Sequence, residues 1–197
     1  MFRIEAFYPP RQADKLFAAL LHGLAWQEEE IVLFGRPTKV PRLMCWYGDP
    51  GAHYAYSGTP HEPLPWCAPL DCMRRELEQS LGLKFNSVLA NLYRDGRDSM
   101  GCHADNEKEL GRNPVIASLS LGDERLFRIA HNKTRHKLDI LLGHGDLLIM
   151  AGALQHCWRH SLPKTRQHKT ERINLTFRNI KGVITPVQHN QTVIQPG

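Results

Sequence analysis

The stretch RINLTFR, residues 172–178, alternates strictly between polar and apolar residues. Successive side chains of a β-strand point to opposite faces, so the apolar residues share one face and the polar residues share the other. An edge strand with one solvated face would show the same alternation. Two arginines on one face also suit a small dicarboxylate, because a guanidinium binds a carboxylate through two hydrogen bonds. The polar residues are Arg172, Asn174, Thr176 and Arg178.

Short β-prone segments, separated by glycine and aspartate clusters, precede this strand from residue 85 onward. Many short strands at such spacing are typical of a β-sandwich or a β-barrel. The sequence therefore predicts a mainly β core. Besides RINLTFR, the segments are NSVLANLY (86–93), VIASLSL (115–121), RLFRIAH (125–131), KLDILL (137–142), DLLIM (146–150) and QHCWRHS (155–161).

Two amphipathic helices are predicted in the N-terminal half, within residues 11–26 and 69–82. Apolar residues recur at helical spacing in both segments, and Gly82 is a natural end for the second. Residues 34–66, rich in Gly, Pro and Tyr, indicate strands and loops between the two helices. We expect the helices to pack on one side of the β core. The apolar stripes are Leu16, Phe17, Leu20, Leu21 and Leu24, and Leu70, Met73, Leu77 and Leu81.

The composition is that of an ordinary globular protein, with 42% hydrophobic and 23% charged residues. No apolar run approaches the roughly 18 to 20 residues that cross a bilayer, and the start lacks the features of a signal peptide. Five cysteines without a C-x-x-C pair disfavour a disulfide framework or a structural zinc site. We therefore expect a cytoplasmic protein without membrane contact. The net charge of +5 is compatible with a polyanionic partner.

His103 and Asp105 are candidate metal ligands. On a strand, residues two apart point to the same face, so the imidazole and the carboxylate would converge. One more histidine would complete the two-His-one-carboxylate triad of non-haem Fe(II) oxygenases. An H-x-D tripeptide also arises by chance as an exposed loop His beside a turn Asp. His156 and His160 both lie in QHCWRHS, and on a strand they would share a face, so the residues alone do not separate them.

These residues and their neighbours together resemble the AlkB family of Fe(II)/2-oxoglutarate-dependent dioxygenases, in particular its DNA-repair branch. The resemblance implies a double-stranded β-helix (jelly-roll) core over residues 86–180, with flanking N-terminal helices. A single domain would also include a nucleotide-recognition region within residues 1–85 and an extension over 181–197. The matching segments are LFGRPTKVPR (33–42), YAYSG (54–58), NLYRDGRDSMGCHADNE (91–107), GDLLIM (145–150), RHSLP (159–163) and RINLTFR.

The resemblance also implies roles for individual residues. It selects His160, which stands directly before SLP, as the third ligand beside His103 and Asp105, and leaves His156 as a core or near-ligand histidine. For 2-oxoglutarate, it implies Arg172 at the distal carboxylate and Arg178 toward the keto-acid end. The residues implied as hydrogen-bonding partners are Asn91, Tyr93 and Asn174.

The activity implied is oxidative dealkylation of N-alkylated bases in DNA, such as 1-methyladenine and 3-methylcytosine, with Fe(II), 2-oxoglutarate and O2. The products would be formaldehyde, succinate and CO2. Because a stacked base cannot reach a buried metal, the base must be flipped out or come from a single strand. One rival is a 2-oxoglutarate dioxygenase acting on RNA, protein or a small molecule. Another is a basic nucleic-acid-binding module that has lost catalysis. Nothing in the sequence demands more than a monomer.

Five residues are candidates for contact with the nucleic acid. Glu107 lies where the family carries an acidic residue that recognises the damaged base, although a solvated charge explains it equally well. Tyr54 and Tyr56 could stack on a flipped base or belong to the core. Phe34 could wedge into a base stack from a hairpin tip or end a core strand. Arg42 and the basic runs at 133–137 and 164–169 could contact phosphates or be solvated.

Overall fold

The computed structural model describes residues 1–33, 35–56 and 59–181, with side chains described outside 31–33, 54–56 and 59–61. Three α-helices in this part are α1 (Pro10–Gly23), α2 (Ala68–Leu81) and the one-turn α3 (Leu154–Cys157). The strands are β1 (Phe2–Ile4), β2 (Gln27–Leu33), β3 (Arg36–Gly48), β4 (Tyr54–Tyr56), β5 (Thr59–His61), β6 (Ser87–Tyr93), β7 (Met100–His103), β8 (Ile116–Gly122), β9 (Arg125–His131), β10 (Lys137–Leu142), β11 (Leu147–Met150), β12 (Trp158–Leu162) and β13 (Arg172–Arg178).

Two antiparallel sheets form the core. The larger has the order β1-β11-β8-β13-β6-β3-β2, the smaller has the order β10-β9-β12-β7, and β4 pairs with β5 separately. Strands that follow one another in sequence often lie in different sheets, as β7, β8 and β9 do. This alternation between two sheets is the arrangement of a jelly-roll. The prediction of a mainly β jelly-roll with flanking helices is confirmed.

Strand β13 lies at the centre of the larger sheet, between β8 and β6. All seven of its residues are buried, including its arginines. Its polar residues face polar residues on both neighbours: Asn174 is paired with Asn91 of β6 and with Ser120 of β8. The solvated-edge explanation of the alternating pattern is therefore wrong, because the polar face of this strand is inside the protein.

The two predicted helices cover the apolar face of the larger sheet. Leu20 of α1 and Leu70 and Leu77 of α2 are fully buried in one cluster with the apolar residues of β13. Each such side chain contributes roughly 1.5–3 kcal/mol by leaving water. Helix α2 ends at Gly82, whose φ of +65° is the left-handed conformation that glycine adopts without strain. The predicted helices and the predicted end of the second are thus present.

Two local expectations near the candidate ligands need correction. Residues 155–161 are not one strand, because after Gly152 (φ +66°) the chain makes the helical turn α3, in which both His156 and Cys157 donate to the carbonyl of Ala153. Strand β7 ends at His103, so Asp105 lies in the following loop. The convergence of His103 and Asp105 therefore does not come from strand alternation.

All five cysteines are free. Within the described residues, no helix is long and apolar enough to cross a membrane.

Gly145 connects the β10–β11 turn to the N-terminal segment, and its replacement tests this contact. Its φ is +86°, and a Cβ there would overlap the carbonyl oxygen of Tyr8. We expect Gly145→Ala to lower the free energy of unfolding by about 2–4 kcal/mol, through backbone strain and displacement of Tyr8. Gly23→Ala is the matched control, because a Cβ at Gly23 meets no atom within 4 Å. Urea unfolding of both variants measures the difference, and equal stabilities would contradict the turn geometry.

Candidate metal centre and its cavity

Strand pairing brings two histidines together at one end of the smaller sheet. His160 of β12 is the direct cross-strand partner of His103 of β7. Their rings lie 4.3 Å apart between centroids. Asp105 approaches from the loop after β7, and one potential ligand atom from each of the three residues lies within 4.8 Å of the others. The three predicted ligands therefore form one compact cluster.

The two imidazoles can present neutral nitrogens to a metal. His103 Nδ1 lies 2.9 Å from the carbonyl oxygen of Gly101, so Nδ1 donates its proton there and Nε2 faces Asp105. His160 is stacked on Phe127 with centroids 5.3 Å apart. Burial, together with the neighbouring His103, lowers the pKa of His160 to about 4 although Asp105 acts in the opposite direction. At neutral pH His160 is therefore unprotonated.

The two oxygens of Asp105 have different neighbours. Arg178 Nη2 donates to Oδ2 at 3.0 Å, whereas Oδ1 faces His103 Nε2 at 3.6 Å. Burial by itself would raise the pKa of Asp105, but Arg178 and the two histidines more than offset it and hold the pKa well below its ordinary value. The carboxylate is consequently ionised, and Oδ1 lies on the side of the two imidazoles.

This donor set fits a divalent first-row metal. Two neutral imidazoles and one carboxylate are the ligands of non-haem Fe(II) sites, and a set of only three protein ligands leaves coordination positions for other molecules. The predicted choice of His160 over His156 agrees with this geometry. His156 is exposed, and its Nε2 contacts the carbonyl oxygen of Arg112. The expectation of a core or near-ligand role for His156 is therefore wrong.

The metal cluster opens into a cavity of about 500 Å³. It is enclosed by both sheets and by the loop that carries Asp105. The polar side chains in its wall, besides the three ligands, include Arg42, Asn91, Glu107, Asn174 and Arg178. Together with the three ligands, eight of the predicted site residues therefore lie around this cavity.

Tyr93 is on β6, the strand of Asn91, and Arg172 is on β13, the strand of Asn174. Both side chains are fully buried. Arg172 Nη2 donates to Ser120 Oγ at 2.9 Å, and its guanidinium lies 5.3 Å from the centroid of the Tyr93 ring. Burial lowers the pKa of Arg172 to about 10, so it remains a cation at neutral pH. Within the described residues, Arg172 Nε and Asn91 Nδ2 are buried donors without a hydrogen-bond acceptor. An acidic ligand would supply acceptors of the kind these donors lack.

Two predicted residues make contacts that the sequence did not indicate. Arg42 is buried, and its Nε donates to Asn91 Oδ1 at 2.7 Å, so it faces the cavity rather than a phosphate on the surface. The amide of Asn174 is used within the sheet, since Nδ2 donates to Ser118 Oγ at 2.9 Å and to Leu119 O at 3.0 Å. The side chain of Asn174 therefore links β13 to β8 in the wall of the cavity.

The structure describes some of the predicted nucleic-acid contacts and not others. Glu107 is half-buried and lines the cavity. Tyr54 and Tyr56 are on β4 and are paired with residues of β5, but their side chains lie outside the described part. Phe34 lies outside the described residues. The basic runs at 133–137 and 164–169 are mostly exposed, and Lys169 forms an ion pair with Asp123 at 3.2 Å.

Two buried residues near the site were missed. Arg125 of β9 donates to the carbonyl oxygens of Asp95 at 3.0 Å, Asp98 at 2.9 Å and Pro163 at 2.9 Å. It thereby links the loop before β7 to the segment after β12. Gln155 of α3 accepts a hydrogen bond from the backbone of Asp105. Arg125 stands in an alternating strand pattern that gave no sign of its burial, and Gln155 lay in a segment interpreted as strand.

A jelly-roll in which two histidines and a carboxylate converge on a cavity defines a non-haem metal oxygenase. The family model described as the 2OG-Fe(II) oxygenase superfamily matches residues 1–178. The chain is 38% identical over 184 residues to alpha-ketoglutarate-dependent dioxygenase alkB homolog 3 of Bos taurus, covering 88% of this chain and 64% of that protein. It is 37% identical over 180 residues to DNA oxidative demethylase ALKBH2 of Mus musculus, covering 86% and 75%. The chain therefore belongs to the 2OG-Fe(II) oxygenase superfamily, within its AlkB family.

A solved structure supports the fold independently. The structure of OsALKBH1 superposes with a TM-score of 0.65 at 18% identity, over 90% of this chain and 97% of that one. The superfamily uses Fe(II) as its metal and 2-oxoglutarate and O2 as co-substrates, as predicted, and the predicted type of enzyme is confirmed at the level of the superfamily. The chain spans just under two thirds of the length of the bovine alkB homolog 3.

Proposed function

We propose that this chain is a dioxygenase that removes N-alkyl groups from bases of DNA, such as 1-methyladenine and 3-methylcytosine, and releases formaldehyde, succinate and CO2. The observation that carries the proposal is the cluster of His103, Asp105 and His160, which opens into a cavity of about 500 Å³. Family membership supports the type of reaction. The similarity to ALKBH2 of Mus musculus, a DNA oxidative demethylase, supports DNA as the substrate.

In this proposal the three residues hold Fe(II). Bound Fe(II) with 2-oxoglutarate activates O2 for oxidation of the alkyl carbon. His103 donates from Nδ1 to Gly101 and turns Nε2 toward the cluster, and burial keeps His160 unprotonated. Arg178 keeps Asp105 ionised through Oδ2 so that Oδ1 can be the ligand. Phe127 stacks on His160, and both His160 and Asp105 are buried, which limits the access of water to these two ligands.

The co-substrate lies, in this proposal, between the metal cluster and Arg172. The Arg172 guanidinium pairs with the distal carboxylate, and Tyr93 and Asn91 donate hydrogen bonds from the adjacent strand. Their register supports this arrangement, because Arg172 is the cross-strand partner of Tyr93, and Asn174 is the partner of Asn91. All four side chains therefore lie on the polar face of neighbouring strands.

The alkylated base enters from the side of Glu107. Alkylation at N1 of adenine or N3 of cytosine gives the base a positive charge, and a carboxylate in the cavity wall favours a cation. The net charge of +5 favours the polyanionic backbone that carries the base. To reach the metal cluster in this cavity, the base must be flipped out of a duplex or come from a single strand.

The test is an anaerobic reconstitution with Fe(II) and 2-oxoglutarate, followed by O2 and a 1-methyladenine oligonucleotide. Single-stranded and double-stranded DNA are assayed in parallel with the same RNA sequence. We expect formaldehyde in a 1:1 ratio with DNA-dependent succinate, and loss of both in His103→Ala. An unmethylated oligonucleotide is the control.

The other outcomes separate the rival functions. Succinate without formaldehyde from any nucleic acid would retain the oxygenase and exclude this substrate class. Formaldehyde from RNA alone would move the substrate from DNA to RNA. Neither product, from a protein shown to bind Fe(II), would favour a binding module without catalysis.

A further inference from the structure

The one-turn helix α3 lies beside the metal cluster and connects to it through Gln155. The helix directly precedes β12, the strand that carries His160. Gln155 has 1% of its surface exposed, although glutamine is mostly found at protein surfaces. A buried amide needs partners for its polar atoms. The hydrogen-bond partners of the Gln155 amide should therefore explain why this residue is buried.

The carbonyl oxygen of the Gln155 side chain accepts a hydrogen bond from the backbone N–H of Asp105 at 3.0 Å. Asp105 follows the end of β7, so no strand partner holds its backbone. The Gln155 amide nitrogen lies 3.9 Å from Met150 Sδ. These neighbours fix the orientation of the amide, because a flipped amide would place its NH2 group against the Asp105 N–H.

Helix α3 makes further contacts through the residues that follow Gln155. His156 contacts Arg112 and lies 3.2 Å from Asn113 Oδ1, at the far end of the loop that begins after His103. Asn132, in the turn between β9 and β10, donates its backbone N–H to the carbonyl oxygen of Cys157 at 2.8 Å. Helix α3 is therefore anchored to the smaller sheet while it contacts both ends of the Asp105 loop.

We propose that Gln155 is a positioning residue for the metal centre: its amide fixes the loop backbone at Asp105 and so sets this carboxylate relative to His160. The inference rests on the proposed function, in that the cluster holds a metal. Groups that orient a metal ligand typically change metal affinity by about 10- to 100-fold when removed.

The test compares Mn(II) binding by the metal-free wild-type protein with that of Gln155→Met and Gln155→Glu, measured by electron paramagnetic resonance. Methionine keeps the length of the side chain but loses the acceptor, whereas glutamate keeps an oxygen at the same position. We expect Gln155→Met to weaken Mn(II) binding by about 10- to 100-fold and Gln155→Glu to remain close to wild type. Gln79→Met, the same substitution at an exposed glutamine of α2, is the matched control and should bind Mn(II) normally.

Two results would overturn the inference while leaving the proposed function in place. One is equal Mn(II) affinity in wild type and Gln155→Met, with wild-type binding lost in His103→Ala. The other is a loss in Gln155→Met that Gln155→Glu does not restore, which would assign the loss to packing. Failure of the wild type to bind Mn(II) would remove the proposed function and this inference with it.

A measurement on the wild type alone covers the case in which Gln155→Met does not fold. The Asp105 amide proton should exchange slowly with solvent in the metal-free protein, despite its loop position, because Gln155 accepts its hydrogen bond. Nuclear magnetic resonance measures this rate for the single amide. Exchange as fast as that of the exposed neighbour Asn106 would contradict the contact and overturn the inference.

Discussion

Asp105→Ala is expected to abolish turnover and, in the metal-free protein, to lower the free energy of unfolding by about 3–5 kcal/mol. The first effect follows from removal of the only carboxylate in the cluster. The second follows from Arg178, which is 3% exposed and donates to Asp105 Oδ2 at 3.0 Å. Truncation of Asp105 breaks the buried ion pair with this arginine, and removing one member of a buried ion pair is strongly destabilising.

The chain contains an exposed ion pair for comparison. Arg128 and Asp139 lie opposite each other on β9 and β10 and form two hydrogen bonds, each of 2.7 Å. Both side chains are exposed, so water solvates Arg128 when Asp139 is removed. We therefore expect Asp139→Ala to have little effect on stability or turnover. The two variants remove the same chemical group, and they differ mainly in burial.

Asp105→Asn separates the charge from the shape of the side chain. Asparagine keeps an oxygen that can accept from Arg178, so it should retain more stability than alanine while still losing turnover. Urea unfolding of metal-free protein and the succinate assay measure the two effects. If Asp105→Ala lost no more stability than Asp139→Ala, the buried contact between Asp105 and Arg178 would be refuted.

The alternating pattern of residues 172–178 predicted the two faces of β13 but not its surroundings. Alternation depends only on the local backbone, so the sequence showed which residues share a face. Whether the polar face meets water or protein depends on the strands that pair on either side. Here β6 and β8 place Asn91 and Ser120 beside Asn174, and those partners are 83 and 54 residues away by number.

The metal ligands could be predicted, although the reason given for their convergence was wrong. His103 and His160 meet through strand pairing, which local periodicity does not reveal. Asp105 reaches them from a loop, and its backbone is held by Gln155, 50 residues later. The chemical types of the ligands were therefore visible in the sequence, whereas the long-range contacts that place them were visible only in the fold.

Arg42 and Arg172 show the same limit for charged residues. The sequence left Arg42 either at a phosphate or in solvent, but β3 lies next to β6 and carries this residue into the cavity wall. Arg172 was expected at a carboxylate, and its burial beside Tyr93 agrees with a ligand of opposite charge. Burial, which decides what an arginine can bind, was not encoded in the local pattern.

Arg172→Met is expected to raise the KM for 2-oxoglutarate by about 10- to 150-fold, which corresponds to the loss of a charged hydrogen bond of about 1.5–3 kcal/mol. Arg172 is buried and cationic at neutral pH, with a pKa lowered to about 10. In the proposed function it pairs with the carboxylate that takes no part in the chemistry. An interaction of that kind contributes equally to the ground state and the transition state, so kcat should change much less than KM.

Arg172→Lys should show an intermediate effect, because an ammonium supplies charge but cannot form two parallel hydrogen bonds to one carboxylate. Arg128→Met is the control for loss of an arginine outside the cavity, since Arg128 is exposed and paired with Asp139. It should leave the KM for 2-oxoglutarate unchanged. Steady-state succinate formation at varied 2-oxoglutarate measures all three variants.

A change of co-substrate tests the assignment of the distal carboxylate directly. 2-Oxopentanoate has the same chain length as 2-oxoglutarate but ends in a methyl group. The wild-type protein should prefer 2-oxoglutarate strongly, because its terminal carboxylate meets Arg172 and the methyl group leaves this buried cation without an anion. In Arg172→Met the preference should largely disappear, since the new side chain is apolar. A preference that survives the substitution would show that another residue binds the distal carboxylate and that Arg172 serves only to support the sheet.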